Sequence, residues 1–425
     1  LNNSRIDQAR AVLRGLVFLI LADLVFLQHG RLPTLDGYSL RFALFAGAMA
    51  SAVLLFFWLP KSDRGPFLSP LRGWFGITIL LLGTLVPLWG AIRGLLSGFP
   101  IEDILNDANG HVFYWAAVPM ALSLDPEDRG WILRVLQRIV AIFCVLCLAV
   151  YLASVISPAS SHFVEEFLRT RDLGFLNEFT DDRPYRLFLK SYILVFVVSA
   201  MSAFRLVSRC GSRWDWVAFF LTVAVLWNPY TRSIWALVPV VAVLLALLHW
   251  RGRCLKFLLP VMAVILVLLP SLLVSKTGSR LRLDDRDGTA ALRWEQAKTL
   301  TTSFIKHPVC GAGFGSPVDS KTGFSIELDL LNLFRKIGLA GLAIYLLAFL
   351  LPVRIAWQEW SNADRCPEAV AFFAISLVAV FGMGTVNPYA TASLGIGAMC
   401  IALAQLASSA RNSPEDANVK STITR

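Results

Sequence analysis

WILRVLQRIVAIFCVLCLAVYLASVI, residues 131–156, decides the fold. After Arg138 it carries no charge, and it exceeds the ~20 apolar residues that a bilayer core demands of a helix. On either side lie further runs of this kind, at 9–28, 39–60, 73–96, 109–124, 187–206, 213–229, 233–250, 256–275, 326–352, 368–386 and 389–409. The chain has 425 residues, 56% hydrophobic and only 16% charged, more apolar sequence than a water-soluble core can use. These runs predict an all-α polytopic integral membrane protein with about 12 transmembrane helices. Residues 1–410 form a single transmembrane domain and 411–425 a polar cytoplasmic tail. The first run lacks a small-residue cleavage site after it and reads as a retained helix.

The formal net charge of +10 could suggest nucleic acid, but its distribution indicates a membrane and no nucleic-acid partner. Basic residues gather in alternate loops: Lys61, Arg64 and Arg72; Arg129, Arg134 and Arg138; Arg205, Arg209 and Arg213; Arg251, Arg253 and Lys256. The intervening loops hold acids, among them Glu102, Asp103, Asp107, Glu165, Glu166, Asp181 and Asp182. By the positive-inside rule both termini are cytoplasmic, and segments 157–186 and 274–325 face outward. The latter is charged and glycine-bearing, and is the expected seat of chemistry.

Seven cysteines give no disulfide framework, since only Cys310 falls in an expected outer loop. Five scattered histidines and no His/Cys cluster give no metal site, and nothing calls for a cofactor. No internal repeat of the carrier kind is visible, which favours an enzyme over a transporter.

Several arginines lie near expected outer boundaries. Arg169, Arg171, Arg183 and Arg186 could bind an anionic head group, or anchor at the interface and pair with Asp172, Asp181 and Asp182. Arg232 follows the short connection Asn228-Pro229-Tyr230-Thr231. Its guanidinium suits bidentate donation to a phosphate oxygen, and snorkelling is the alternative. In the large loop, Lys276, Arg280, Arg282 and Arg286 interleave with Asp284, Asp285 and Asp287. A helix then runs through Arg293-Trp294 with no breaker until Pro308, and Arg293 either reaches a phosphate or pairs with an acid.

His307-Pro308-Val309-Cys310-Gly311-Ala312-Gly313-Phe314-Gly315 places three glycines at alternate positions. No strand precedes it and no helix directly follows, so a tight turn with close backbone approach is preferred over a phosphate cradle. The next apolar helix begins with Glu327 and Asp329, about 200° apart at helical spacing, so one of them faces the arginines. A desolvated carboxylate there could act as general base, or could simply stabilise the helix N-terminus.

The order of these pieces resembles the O-antigen ligase and polymerase superfamily, bacterial envelope glycosyltransferases of GT-C architecture. The likeness covers about Leu221 to Leu406, through Tyr230-Thr231-Arg232-Ser233, Arg293-Trp294, His307 to Gly315, and Glu327 to Gly341. It implies a metal-independent inverting enzyme in the cell inner membrane, with its active site on the periplasmic face. Its donor would be an undecaprenyl-diphosphate-linked glycan. Arg232 and Arg293, aided by Arg183 and Arg186, would hold the diphosphate, and Glu327 would be the catalytic base. Asp329, Arg280 and His307 are secondary site residues. Ligases of the family commonly place a His where this chain has Glu327, which tilts the expectation toward a polysaccharide polymerase joining lipid-linked repeats, with a chain-length regulator as a further partner. The alternatives are a ligase transferring glycan to lipid A-core, and a transporter of lipid-linked sugars using Asp23, Arg232 and Asp329.

Overall fold

The computed structural model describes residues 3–27, 40–124, 128, 130–170, 174–179, 183–208, 210–227, 232–250, 289–318, 328–362, 367–384 and 391–409. Helices occupy most of each expected apolar stretch that lies among these residues; the stretch at 256–275 lies outside them. The first half contains α1 (Asn3–Ala22, continued by a π-helical turn), α2 (Leu40–Trp58), the short α3 (Lys61–Leu68), α4 (Trp74–Leu96), α5 (Ile101–Val112), α6 (Ala117–Ser123) and α7 (Trp131–Ile156). An amphipathic α8 (Pro158–Thr170) and a hairpin of β1 (Gly174–Phe179) and β2 (Arg183–Leu189) follow. Then come α9 (Tyr192–Val207), α10 (Arg213–Trp227), α11 (Arg232–Trp250), α12 (Thr289–Lys306), α13 (Asp329–Asn362), α14 (Glu368–Gly384) and α15 (Ser393–Ser409).

The fold is therefore helical, as expected, with one correction in segment 157–186. There the chain alternates apolar and polar residues, the period of a strand. Leu176 pairs with Leu187 across the antiparallel ladder, and both are buried with Leu189. The hairpin takes residues 187–189 from the expected span, so α9 starts only at Tyr192.

Among the described residues, four helices, α2, α4, α7 and α13, are long and apolar enough to cross a membrane. Their outward faces carry large exposed side chains, including Leu54, Phe57, Ile142, Leu146 and Leu350, which water would not tolerate in such number. The inner helices α9 and α15 are instead buried almost all round, as a helix in the middle of a bundle must be. Two buried charges sit near α15: Arg41 donates to Asp23 at 2.5 Å and also bonds the Ser393 hydroxyl. A buried charge needs such a partner because solvent cannot repay its desolvation. Asp23 thus has an ion-pair partner through Oδ2, while its Oδ1 is buried without a hydrogen-bond partner among the described residues.

Candidate active site

The site is organised by a break in α13. Gly338 has φ 64° and ψ −171°, so the helix stops hydrogen-bonding to itself and starts again one residue later. Each freed backbone group would cost several kcal/mol if left bare in an apolar setting. The turn after α12 supplies the partners. The Arg335 and Lys336 carbonyls accept from the Ala312 and Gly313 amides, both at 2.9 Å, and the Leu339 and Ala340 amides donate to the Pro308 and Val309 carbonyls at 2.8 and 3.0 Å. The indole of Trp89 donates to the Ile337 carbonyl at 2.9 Å.

Such contact requires glycine on both sides. A β-carbon on Gly311 would fall 2.2 Å from the Lys336 carbonyl oxygen, and one on Gly338 would fall 2.3 Å from the Gly311 nitrogen. The same turn lies on α4, where Gly90 and Gly94 recur at i, i+4 and leave a flat face for close approach. Phe314 donates its amide to the Gly90 carbonyl at 2.9 Å. Gly315 donates to the Asp107 carboxylate at 2.7 Å, and Gly311 donates to the His307 carbonyl at 3.0 Å. All amides from Gly311 to Gly315 are therefore engaged within the protein. A phosphate cradle needs such groups free, so this is a structural turn, as its sequence context indicated.

Charges collect around the turn. Asp107 on α5 holds the Gly315 amide with one oxygen and Lys336 with the other, at 2.6 Å. The side chains of this ion pair are 13% and 25% exposed for Lys336 and Asp107. Its strength lies between the ~1 kcal/mol of a surface pair and the ~3 to 5 kcal/mol lost when a buried one is broken. Arg335, only 1% exposed, donates to the Asn332 side chain at 3.1 and 3.2 Å and to the Ser316 carbonyl at 3.0 Å. Below them His111 stacks on Phe314, with ring centroids 5.8 Å apart, and meets the edge of Tyr345.

The residues expected from sequence fall unevenly around this frame. Asp329 opens α13 and is buried, accepting from the Thr391 amide at 2.7 Å and from the Thr391 hydroxyl. These bonds tie the start of α13 to the start of α15. His307 is exposed and contributes its backbone to the turn. Arg232 is the first residue of α11, Arg293 lies in α12, and Arg183 and Arg186 lie in β2; their side chains are outside the described part. Glu327 and Arg280 lie outside the described residues. Among the described residues, no group of three His, Cys, Asp or Glu side chains could hold a metal ion.

Sequence reasoning missed Asp107, His111, Arg335, Lys336 and Thr391. Two signals pointed there. Arg335-Lys336 interrupts an apolar helix, where a charge is expensive without a function or a partner. Asp107 and His111 stand at i, i+4 and so share one face of α5. No family model matches the chain, and no curated protein matches it.

Proposed function

We propose that this chain is an inverting glycosyltransferase of the GT-C kind, with about twelve spans by the bilayer-length criterion. It would extend undecaprenyl-diphosphate-linked glycan on the outer face of the bacterial inner membrane. The observation that carries the reading is the locked turn 308–315, which follows α12 directly and fixes the head of α13, with Asp107, Arg335 and Lys336 around it. Arg335 and Lys336 are engaged within this frame and make it rigid; a rigid frame suits a preorganised site for a leaving diphosphate, whose stabilisation is usually the largest catalytic term.

In this reading Arg232 and Arg293, with Arg183 and Arg186, face the donor diphosphate. The acceptor hydroxyl oxygen attacks the anomeric carbon, the carbon–oxygen bond to the diphosphate breaks, and the hydroxyl proton passes to Glu327. For a polymerase the acceptor is a second lipid-linked repeat, and for a ligase it is lipid A-core. A carrier reading has one observation in its favour, the broken α13, because transporters bind substrate at such breaks. Here, however, the groups freed at the break are taken by the turn and by Trp89, leaving few for a substrate.

The test is purified protein in liposomes supplied with the undecaprenyl-diphosphate-linked repeat. Longer lipid-linked chains, lost in Glu327→Gln without loss of folded protein, are the expected result. Growth only when lipid A-core is added identifies a ligase. Movement of the lipid-linked sugar across the bilayer with no new glycosidic bond overturns the enzyme reading.

A further inference from the structure

At the opposite end of the helices from Asp329 lies a cavity of about 230 Å³, lined chiefly by residues of α7, α9, α10 and α14. It is smaller than the ~300 to 1,000 Å³ of sites for drug-sized ligands, which points to a small polar group rather than a nucleotide. Its walls follow from local sequence. Arg134, Gln137 and Arg138 fall at i, i+3 and i+4 and share one face of α7. Arg205 closes the last turn of α9, while Asp215 and Glu368 occupy the first turns of α10 and α14. Each charge complements its helix dipole.

The charged groups are not equally available. The Arg205 side chain, 10% exposed, is clamped by Asp215 at 3.4 Å and Glu368 at 2.8 Å. Asp215 is saturated: it accepts from the Ser212 amide and hydroxyl at 2.7 and 2.8 Å and from the Gln137 amide at 2.8 Å. Arg134 is bonded to Asp128. Two groups remain open to the cavity. Arg138 is exposed and has no ion pair among the described residues, and Glu368 uses only Oε2 while its side chain is 41% exposed. Trp214 is exposed and also lines the cavity, a side chain suited to the boundary between lipid and water.

One guanidinium with no ion pair among the described residues and one half-engaged carboxylate in the same cavity are complementary to a zwitterion. A purely anionic head group would meet Glu368 unfavourably, and a quaternary ammonium could not donate a hydrogen bond to it. We propose that this cavity binds a phosphoethanolamine group, its phosphate on Arg138 and its primary ammonium on Glu368. At the membrane boundary its source is an aminophospholipid. The site is independent of the glycosyl-transfer reading.

The experiment incubates the detergent-purified full chain with vesicles of phosphatidylethanolamine, phosphatidylglycerol or phosphatidylcholine and measures retained lipid by native mass spectrometry. Soluble O-phosphoethanolamine is titrated in parallel. Charge-assisted hydrogen bonds are worth about 1.5 to 3 kcal/mol, so phosphatidylethanolamine is expected to be retained at least about tenfold over the other two. Arg138→Gln, which breaks no ion pair among the described residues, should abolish that preference; Glu368→Gln should shift it toward phosphatidylglycerol. Saturable binding of O-phosphoethanolamine without lipid selectivity, lost in Arg138→Gln, would support the same chemistry with a soluble source. Equal retention of all three lipids with no binding of the soluble probe, or a preference unchanged in both variants, overturns the proposal.

Discussion

A single methyl group separates two glycines that share an unusual backbone. Gly98 and Gly311 both have positive φ, 76° and 75°, but a β-carbon at Gly98 would meet no atom within 4 Å, whereas at Gly311 it would overlap backbone of α13. Gly98→Ala should therefore cost only the left-handed penalty, about 1 to 2 kcal/mol. Gly311→Ala adds displacement of the turn and exposure of its buried partners, each worth about 1 to 3 kcal/mol. Thermal unfolding in detergent should show a modest drop for the first and loss of folded protein, or a much larger drop, for the second. Equal effects would mean that the turn does not lock the helix break. The same contrast explains what glycine is doing here: it serves approach between backbones, and conformational freedom alone would not require it.

At the scale of elements, the break in α13 holds because donors from elsewhere replace its own helix bonds. Trp89 is the side-chain member of that set, so Trp89→Phe keeps the ring and removes the donor to the Ile337 carbonyl. Destabilisation of about 1 to 3 kcal/mol is expected from the unpaired carbonyl. Hydrogen exchange should quicken at the Leu339 and Ala340 amides relative to the rest of α13; unchanged exchange and stability would show that water replaces the indole without loss. The helices of this region were legible in sequence because apolar length alone announces them, as at 73–96 and 326–352. Gly338 was visible only as a glycine in a helix, and the break was not, because its cause lies in a turn some thirty residues earlier that pairs with it through space. The hairpin escaped for a related reason: Leu176, Leu187 and Leu189 make a short alternation between two long apolar runs, where helix-length reading dominates. The candidate site was read only in part, since the sequence pointed to arginines and Glu327 whereas the buried frame is made by Asp107, Arg335 and Lys336.

For the whole molecule, the distribution of charge becomes a statement about sides. Asp107, Asp329 and the glycine turn lie at one end of the helices, and Arg134, Arg138, Arg205 and Glu368 lie at the other. Only the positive-inside rule says which end faces the cytoplasm, and two native cysteines can report on it. Cys310 belongs to the glycine turn and is partly accessible, while Cys210 is exposed beside the arginine-lined cavity; Cys144, Cys147 and Cys400 are buried. In chains retaining Cys310 or Cys210 as the sole cysteine, a membrane-impermeant maleimide applied to intact spheroplasts should label Cys310 and spare Cys210. Cys210 should react once the membrane is permeabilised. The reverse pattern would place the glycine turn in the cytoplasm, out of reach of an outward-facing lipid-linked donor, and the proposed reaction would have to be abandoned even though the fold stood unchanged. Labelling of both in intact cells would instead mean that the helices between them do not separate two compartments.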